Sequence, residues 1–357
     1  MANTDLQFGK KLKKYGAIDF NACYNCGTCT AVCALADEND SFPREMVRFS
    51  VLGFSQEIKG SLKPWLCYYC GECTAYCPQE AKPGELMMSL RRYLTSRYDW
   101  TGISGLLYRN LAAHLAAFLA VIAGVLGLFF AGAWDQKEWM HYGHYFEMFA
   151  IAGVFALVLL PNILRMWFFS VWRQTGRFRI KNYFLGLYDL FVHMFTQKRT
   201  LSCNDDWDNK LWWFEHWVLV LGYLALLFTT VFLDWFAASS MVVIAAGYVF
   251  SAVVFVVTFD FVLRRLRKKA EKSIFAHPSD WFFVIWLFFM GLSAFGVRLL
   301  VDLGSLTNHF GLYLFHLIVL VQWALIIVPF GKWTHFLYRS FAMYFDKILK
   351  AESQPGG

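Results

Sequence analysis

Hydrophobic and polar residues follow two regimes along this chain, and the changeover lies near Trp100 to Gly105. Before it, short apolar stretches alternate with Lys, Arg, Asp and Glu; after it, long apolar runs dominate. Six such runs lie at about 108–133, 146–171, 212–234, 241–263, 281–302 and 310–331. Each is near the ~20 residues that an α-helix needs to cross ~30 Å of hydrocarbon, so the pattern predicts six transmembrane helices. One connection is longer than the rest. Residues 182–197, NYFLGLYDLFVHMFTQ, are aromatic but interrupted by Asp189, which predicts a helix lying in the membrane interface, with a helix that merely anchors a loop as the alternative.

The polar first hundred residues also read as helical. Pro43 is predicted to open a helix through Ile58 on Met46, Val47, Val51, Leu52 and Phe54, and Pro83 to open another with Leu86, Leu90 and Leu94 on one stripe. The fold class expected is therefore all-α.

Composition agrees with the membrane reading: 58% of the residues are hydrophobic and 17% charged, too apolar for a soluble domain of this length. The charge of +7 acquires a meaning from its placement. Segment 173–210 carries seven Lys and Arg (Arg173, Arg177, Arg179, Lys181, Lys198, Arg199, Lys210), segment 264–272 carries six, and Lys332, Arg339, Lys347 and Lys350 follow the last run. The opposite connections hold only Lys137 in 135–145 and none in 235–240 or 303–309. An even number of spans with both termini in the cytoplasm satisfies this bias. The expectation is a multi-pass inner-membrane protein whose basicity is a topology signal and not a nucleic-acid footprint. The opening MANTDLQFGKKLKKYG lacks the apolar core of a secretory signal.

Eight of the nine cysteines fall into two copies of one spacing, Cys23-x2-Cys26-x2-Cys29-x3-Cys33 and Cys67-x2-Cys70-x2-Cys73-x3-Cys77, the second followed by Pro78 and the first by Ala34. This is the ligand run of a two-cluster ferredoxin, in which the fourth cysteine of each run crosses to the other cluster. One [4Fe-4S] cluster is thus expected on Cys23, Cys26, Cys29 and Cys77, and the other on Cys67, Cys70, Cys73 and Cys33. The competing readings are zinc sites, which favour separated CxxC pairs, or a disulfide framework. The 33 residues between Cys33 and Cys67 read as helix, which argues for an α-helical ferredoxin over a β-hairpin one. The organisation expected is a cytosolic two-cluster domain at 1–104, a membrane domain at 105–340 and a cytosolic tail at 341–357. Cys203 stands outside both runs and reads as a free thiol.

Electrons delivered from clusters to a bilayer need a carrier there, and histidine is the side chain that holds haem iron from a helix. His216 begins the third apolar run, and His335 follows the sixth. By topology both lie at the cytosolic face. His316 lies 19 residues before His335, about 28 Å along a helix of 1.5 Å rise, and so at the other face. His114, near the cytosolic end of the first run, reads as a satisfied core histidine, and His193 and His277 read as surface residues.

The pattern H-x18-H from His316 to His335, with Pro329-Phe330 before the second histidine, and the stretch from His216 through Thr230 resemble the cytochrome b subunit of respiratory nitrate reductase and the E subunit of heterodisulfide reductase. The cysteine domain resembles the C subunit of heterodisulfide reductase. The fusion of both resembles the C subunits of quinone-interacting membrane-bound oxidoreductase (Qmo) complexes. That resemblance implies a cytochrome b bundle with two bis-histidine b haems and menaquinone as the membrane substrate. It also implies cytosolic flavoprotein and iron-sulfur partners related to heterodisulfide reductase A, with adenylylsulfate reductase as the exchange partner. His216 and His335 match the family positions for the inner haem. For the outer haem His316 is the natural ligand, but Gly222 to Phe228, where the relative has its second histidine, holds none. His141, His144 and His309 remain, with His144 favoured because His309 is only seven residues from His316 on the same helix.

Quinone chemistry moves protons with electrons, and Glu147, Arg298 and Asp234, near the outer ends of their runs, are the candidates for that site. Glu215 and Arg165 are cytosolic-side alternatives, for haem propionates. No GxGxxG fingerprint is present, which leaves flavin and nicotinamide chemistry to other subunits. Two further readings stay open: a subunit of a hydrogenase or heterodisulfide reductase complex, and a haem-free membrane anchor that senses redox state through its clusters.

Overall fold

The computed structural model describes residues 4–38, 40–198, 201, 207–229, 240–268 and 274–353. It is 79% helical, and no strand occurs among the described residues, as the all-α expectation requires. Six helices are long and apolar enough to cross a membrane. They do not all keep to the predicted limits. The second runs from Gln136 to Thr175 and the sixth stretch from Thr307 to Ser353, well beyond the lengths a bilayer needs.

Two compact units share the chain, and neither is continuous. One comprises Met1–Arg109, Leu159–Trp213 and Thr334–Gly357; the other comprises Asn110–Val158 and Phe214–Trp333. The sequence-based limits at 104 and 340 divide the chain linearly, whereas the packing interleaves it.

The first unit is built around helix Pro83–Tyr98. Proline at its start has the φ a first turn needs and lacks only an N–H that would be unpaired there. Leu86, Leu90 and Leu94 are fully buried on its inner stripe, beside Met87. Phe8 and Leu12 of helix Phe8–Lys13 and Met46 and Val47 of helix Arg44–Leu52 are buried in the same unit. The helix expected from Pro43 through Ile58 is interrupted. Gly53 takes φ 76°, and a Cβ there would lie 2.5 Å from the Asp5 carbonyl oxygen, so the chain turns and restarts as Ser55–Gly60. Val51 and Leu52, expected on the apolar stripe, are exposed as a result.

After Tyr98 the chain is fastened by polar contacts to residues of the long second helix. Asn162 Oδ1 accepts from the Trp100 N–H at 3.1 Å, and Arg165 donates through Nε to the Tyr98 carbonyl at 2.8 Å and through its terminal nitrogen to that of Arg97 at 3.2 Å. Asp99 caps the turn by accepting from the N–H groups of Thr101 and Ser104. Trp65, Tyr98 and Tyr338 then form an aromatic trio, with ring centroids 5.3 Å (Trp65 to Tyr338) and 5.5 Å (Tyr98 to Tyr338) apart.

The expected interfacial segment is a helix, Ile180–Thr196, packed on the final helix, Thr334–Ser353. Gly186 permits the close approach, since a Cβ there would stand 2.7 Å from the Tyr344 ring. Glu352, fully buried, accepts from the Arg179 N–H at 2.8 Å and Asn182 Nδ2 at 3.1 Å. Asp189 is paired with Lys347. Ile180, Phe184, Tyr188, Phe191 and Phe195 are exposed. The segment after residue 340, expected as a tail, is thus the body of a packed helix.

The second unit is a helical bundle that includes Leu111–Phe130, Gln136–Val154, Met241–Arg267, Pro278–Asp302 and Phe310–Gln322. Trp139, Phe310, Leu314 and Leu317 form one buried cluster within it. Gly291 lets helices Met241–Arg267 and Pro278–Asp302 meet at the backbone, because a Cβ there would be 2.7 Å from the Phe255 nitrogen. The buried Gln322 is satisfied at both ends: its Oε1 accepts from Trp286 Nε1 at 2.7 Å, and its Nε2 donates to the Phe118 carbonyl at 3.0 Å. Two wide π-helical turns, Phe155–Leu159 and Trp323–Ile327, precede Pro161 and Pro329. Each contains the residue four positions before its proline, where the ring crowds the carbonyl and the missing N–H leaves it unpaired.

Candidate iron-sulfur centre

The two cysteine runs fold into two copies of one loop. In the first, Asn25 (φ 61°) and Gly27 (φ 93°) are left-handed; in the second, Tyr69 (φ 59°) and Gly71 (φ 92°) take the same places. This winding turns backbone N–H groups inward. The Asn25 N–H donates to Cys23 Sγ at 3.3 Å, and the Tyr69 N–H to Cys67 Sγ at 3.4 Å. Each loop then enters a single helical turn carrying the third cysteine, Thr28–Ala31 or Glu72–Ala75. A tyrosine in the left-handed region is costly. Here its phenol donates to the buried Glu85 carboxylate, which holds it in place.

The fourth cysteine of each run lies with the other run. A single pocket is lined by Cys23, Cys26, Cys29 and Cys77, with Arg44, Pro78 and Pro83 among its other walls. Burial pushes the Cys29 thiol up to about 11, and the nearby sulfurs of Cys23, Cys26 and Cys77 add to the shift. Cys73 is raised by burial, then by Cys67, Cys70 and Cys33. Cys33 is likewise raised, by burial first and then by Cys67 and Cys70. The exposed Cys26 goes the other way, lowered by the hydroxyl of Thr28, 3.4 Å from its sulfur. All eight are free thiols. Among the described residues no three His, Cys, Asp or Glu side chains converge as ligands of one metal ion would; the four thiols are instead arrayed around an opening. That arrangement, with backbone N–H groups already directed at Cys23, Cys67 and, from Ala81 at 3.3 Å, Cys77, suits a cluster whose sulfurs accept hydrogen bonds.

Basic side chains that the cysteine spacing does not reveal surround these loops. A Cβ on Gly27 would lie 3.2 Å from the Arg44 guanidinium. Arg91 donates to the carbonyl oxygens of Pro64 (2.8 Å), Trp65 (3.4 Å) and Cys67; burial, with Arg339 adding repulsion, lowers it to about 10. The Arg339 guanidinium lies 5.6 Å from the centroid of the Tyr68 ring, one residue beyond Cys67.

Among the histidines, His316 Nδ1 is 2.8 Å from Ser293 Oγ, within the second unit. His216 belongs to the second unit, and His335 stands in the first turn of helix Thr334–Ser353, in the first. His144 is half-buried on helix Gln136–Val154, His141 is exposed beside Tyr145, and His309 Nδ1 meets the Ser305 carbonyl at 3.2 Å. His114 is buried as expected but is not satisfied: its ring packs against those of Phe118 and Phe282, with centroids 5.1 and 4.3 Å away, while Nε2 makes no hydrogen bond among the described residues. His193, expected at the surface, is buried on the face of its helix that meets the C-terminal helix. His277 caps helix Pro278–Asp302 by accepting from the Ser279 N–H.

Of the quinone-site candidates, Arg298 is paired with Asp302 at 2.9 Å, and Asp302 also accepts from the Tyr248 hydroxyl at 2.7 Å. Glu147 lies on helix Gln136–Val154. Asp234 lies outside the described residues, as does Cys203. Glu215 pairs with Arg264 at 2.6 Å, and Arg165 is committed to the backbone of Arg97 and Tyr98.

No curated protein and no solved structure matches the chain. Residues 22–82, which contain all eight cysteines of the two runs, match the family model of the 4Fe-4S dicluster domain.

Proposed function

We propose that this chain is a membrane electron-transfer subunit that exchanges electrons between the menaquinone pool and a cytosolic flavoprotein or iron-sulfur partner. In this reading two [4Fe-4S] clusters are held by Cys23, Cys26, Cys29 with Cys77 and by Cys67, Cys70, Cys73 with Cys33. The observation that carries it is the joining, in one chain, of a dicluster domain with its crossed sets of thiols and six helices able to cross a membrane.

Clusters supply one-electron chemistry, and the protein supplies their surroundings. The left-handed loops place N–H groups on sulfur, and Arg44, Arg91 and Arg339 bring positive charge to the cluster domain. In the membrane half, His316 fits a haem ligand in one respect: its Nδ1 is held by Ser293, which leaves Nε2 for iron and fixes the ring, as metal-bound histidines require. With His316 we assign His144 to the outer b haem, and His216 with His335 to the inner one, as the resemblance to cytochrome b subunits implies. Glu147, Arg298 and Asp234 are the quinone-site candidates. The protein is placed in the inner membrane with both termini cytoplasmic. Its partners are assigned as subunits related to heterodisulfide reductase A, with electron exchange to adenylylsulfate reductase.

The test is a reduced-minus-oxidised optical spectrum of the anaerobically purified chain with haem quantified, on wild type, His335→Ala and His316→Ala. Two b haems, one lost in each variant, are expected. An absence of haem in the wild type, with its clusters intact, overturns the quinone route and leaves a cluster-bearing anchor.

A further inference from the structure

Helix Ser55–Gly60 of the first unit ends against the long second helix, and four cations gather where they meet. The Lys59 ammonium lies 3.6 Å from the centroid of the Phe169 ring, and the Arg165 guanidinium carbon 5.6 Å from the same centroid. Arg165 is fixed by its bonds to the carbonyls of Tyr98 and Arg97. Arg97 and Arg173 are exposed beside them. Burial, then repulsion from Arg97, Arg165 and Arg173, lowers Lys59 to about 8.

Among the described residues none of these four side chains makes an ion pair, whereas Lys11, Lys63, Arg264, Arg298, Lys332, Lys347 and Lys350 all do. Holding four like charges this close to Lys59 costs free energy unless an anion joins them. The helix itself indicates which anion. Leu160, Leu164, Phe168 and Trp172, spaced by four, are all exposed on one face and lead up to Arg173. This apolar stripe ending in an aromatic ring and a cation has the order of a lipid molecule laid along the helix, acyl chain first and head group last. A free phosphate would account for the cations but not for the stripe.

We propose that Lys59, Arg97, Arg165 and Arg173 bind the phosphate of an anionic phospholipid whose acyl chain lies along Leu160, Leu164 and Phe168. The site rests on the membrane-spanning character of this helix and not on the haem or quinone assignments.

The experiment uses the full chain, delipidated in detergent, with phosphatidylglycerol, phosphatidylcholine and inorganic phosphate as separate probes. Binding is read by native mass spectrometry and by titration. Wild type should retain phosphatidylglycerol preferentially, and the Lys59→Gln/Arg173→Gln double variant should bind it roughly 25-fold more weakly, about a factor of five per cation. Lys59→Gln alone should show the intermediate loss. Iron content and the optical spectrum of both variants should equal those of wild type, which separates loss of the lipid site from loss of fold or of redox function. Equal retention of phosphatidylcholine, competition by millimolar inorganic phosphate alone, or unchanged affinity in the double variant would each overturn the proposal.

Discussion

Arg91 donates a hydrogen bond from its guanidinium to the carbonyl oxygen of Cys67. The same side chain reaches the carbonyls of Pro64 and Trp65, so one half-buried cation holds the approach to the second cysteine loop from helix Pro83–Tyr98. Its charge serves as well as its fork of donors, because a nearby cation favours the reduced, more negative cluster. In Arg91→Lys the charge stays and the fork is lost; in Arg91→Gln the charge is lost. Redox titration followed by electron paramagnetic resonance should show the midpoint of one cluster falling in Arg91→Gln, and falling less in Arg91→Lys, with the other cluster unmoved. Equal movement of both clusters would mean that Arg91 acts on the domain at large.

The crossed sets of cysteines make a prediction that linear ligation does not share. Cys77→Ser should damage the same cluster as Cys23→Ser, although 54 positions separate them, and Cys33→Ser should damage the same one as Cys67→Ser. The paramagnetic spectrum of the surviving cluster reads this directly: Cys77→Ser should match Cys23→Ser and differ from Cys67→Ser. If it matches Cys67→Ser instead, each run ligates its own cluster.

Gly291 and Gly247 test how the bundle is packed. A Cβ at Gly291 meets backbone atoms of Phe255, at 2.7 Å from the nitrogen and 3.1 Å from Cα, while one at Gly247 meets nothing within 4 Å. Gly291→Ala must therefore push the two helices apart, at about 1–3 kcal/mol. Gly247→Ala should be neutral or stabilising by up to about 1 kcal/mol, through helix propensity alone. Thermal unfolding in detergent distinguishes the two.

Lys59 gives a pH dependence with a defined sign. Its proton affinity in the folded chain is lowered from 10.5 to about 8, so between those values the unfolded chain binds a proton that the folded chain does not. Stability then rises with pH through that window, and the charged lysine is unfavourable below it. In lipid-free detergent the difference in unfolding midpoint between Lys59→Gln and wild type should favour the variant at pH 7 and shrink steadily towards pH 10. A difference that is constant with pH would show that Lys59 feels no such repulsion.

The parts of this fold that are legible in sequence are those fixed by local periodicity or by spacing along the chain. Leu86, Leu90 and Leu94 lie four apart behind Pro83, and they are buried in the helix they predict. The break at Gly53 is not legible, because its cause is the Asp5 carbonyl, which lies far away in sequence. Apolar content likewise marks the middle of the second span but not its length: the helix begins ten residues before the apolar run, at Gln136, behind a capping box formed by Asp135 and Glu138. His114, whose depth at the end of the first run suits a satisfied core histidine, packs its ring against two phenylalanines while Nε2 makes no hydrogen bond among the described residues. Lys59 and the three arginines that repel it come from three separate stretches of chain, and no window of sequence contains them.

The aromatic trio of Trp65, Tyr98 and Tyr338 sets an order for biogenesis. Two of its rings leave the ribosome early, and the third is synthesised 240 residues after Tyr98, an interval of roughly 10–50 s at ordinary elongation rates. Every apolar helix of the bundle must be made in between. The face of the cluster domain formed by Trp65 and Tyr98 therefore waits uncovered while the spans are threaded into the bilayer. A soluble fragment ending at residue 104 would keep that face uncovered permanently, and would be expected to aggregate where the whole chain does not.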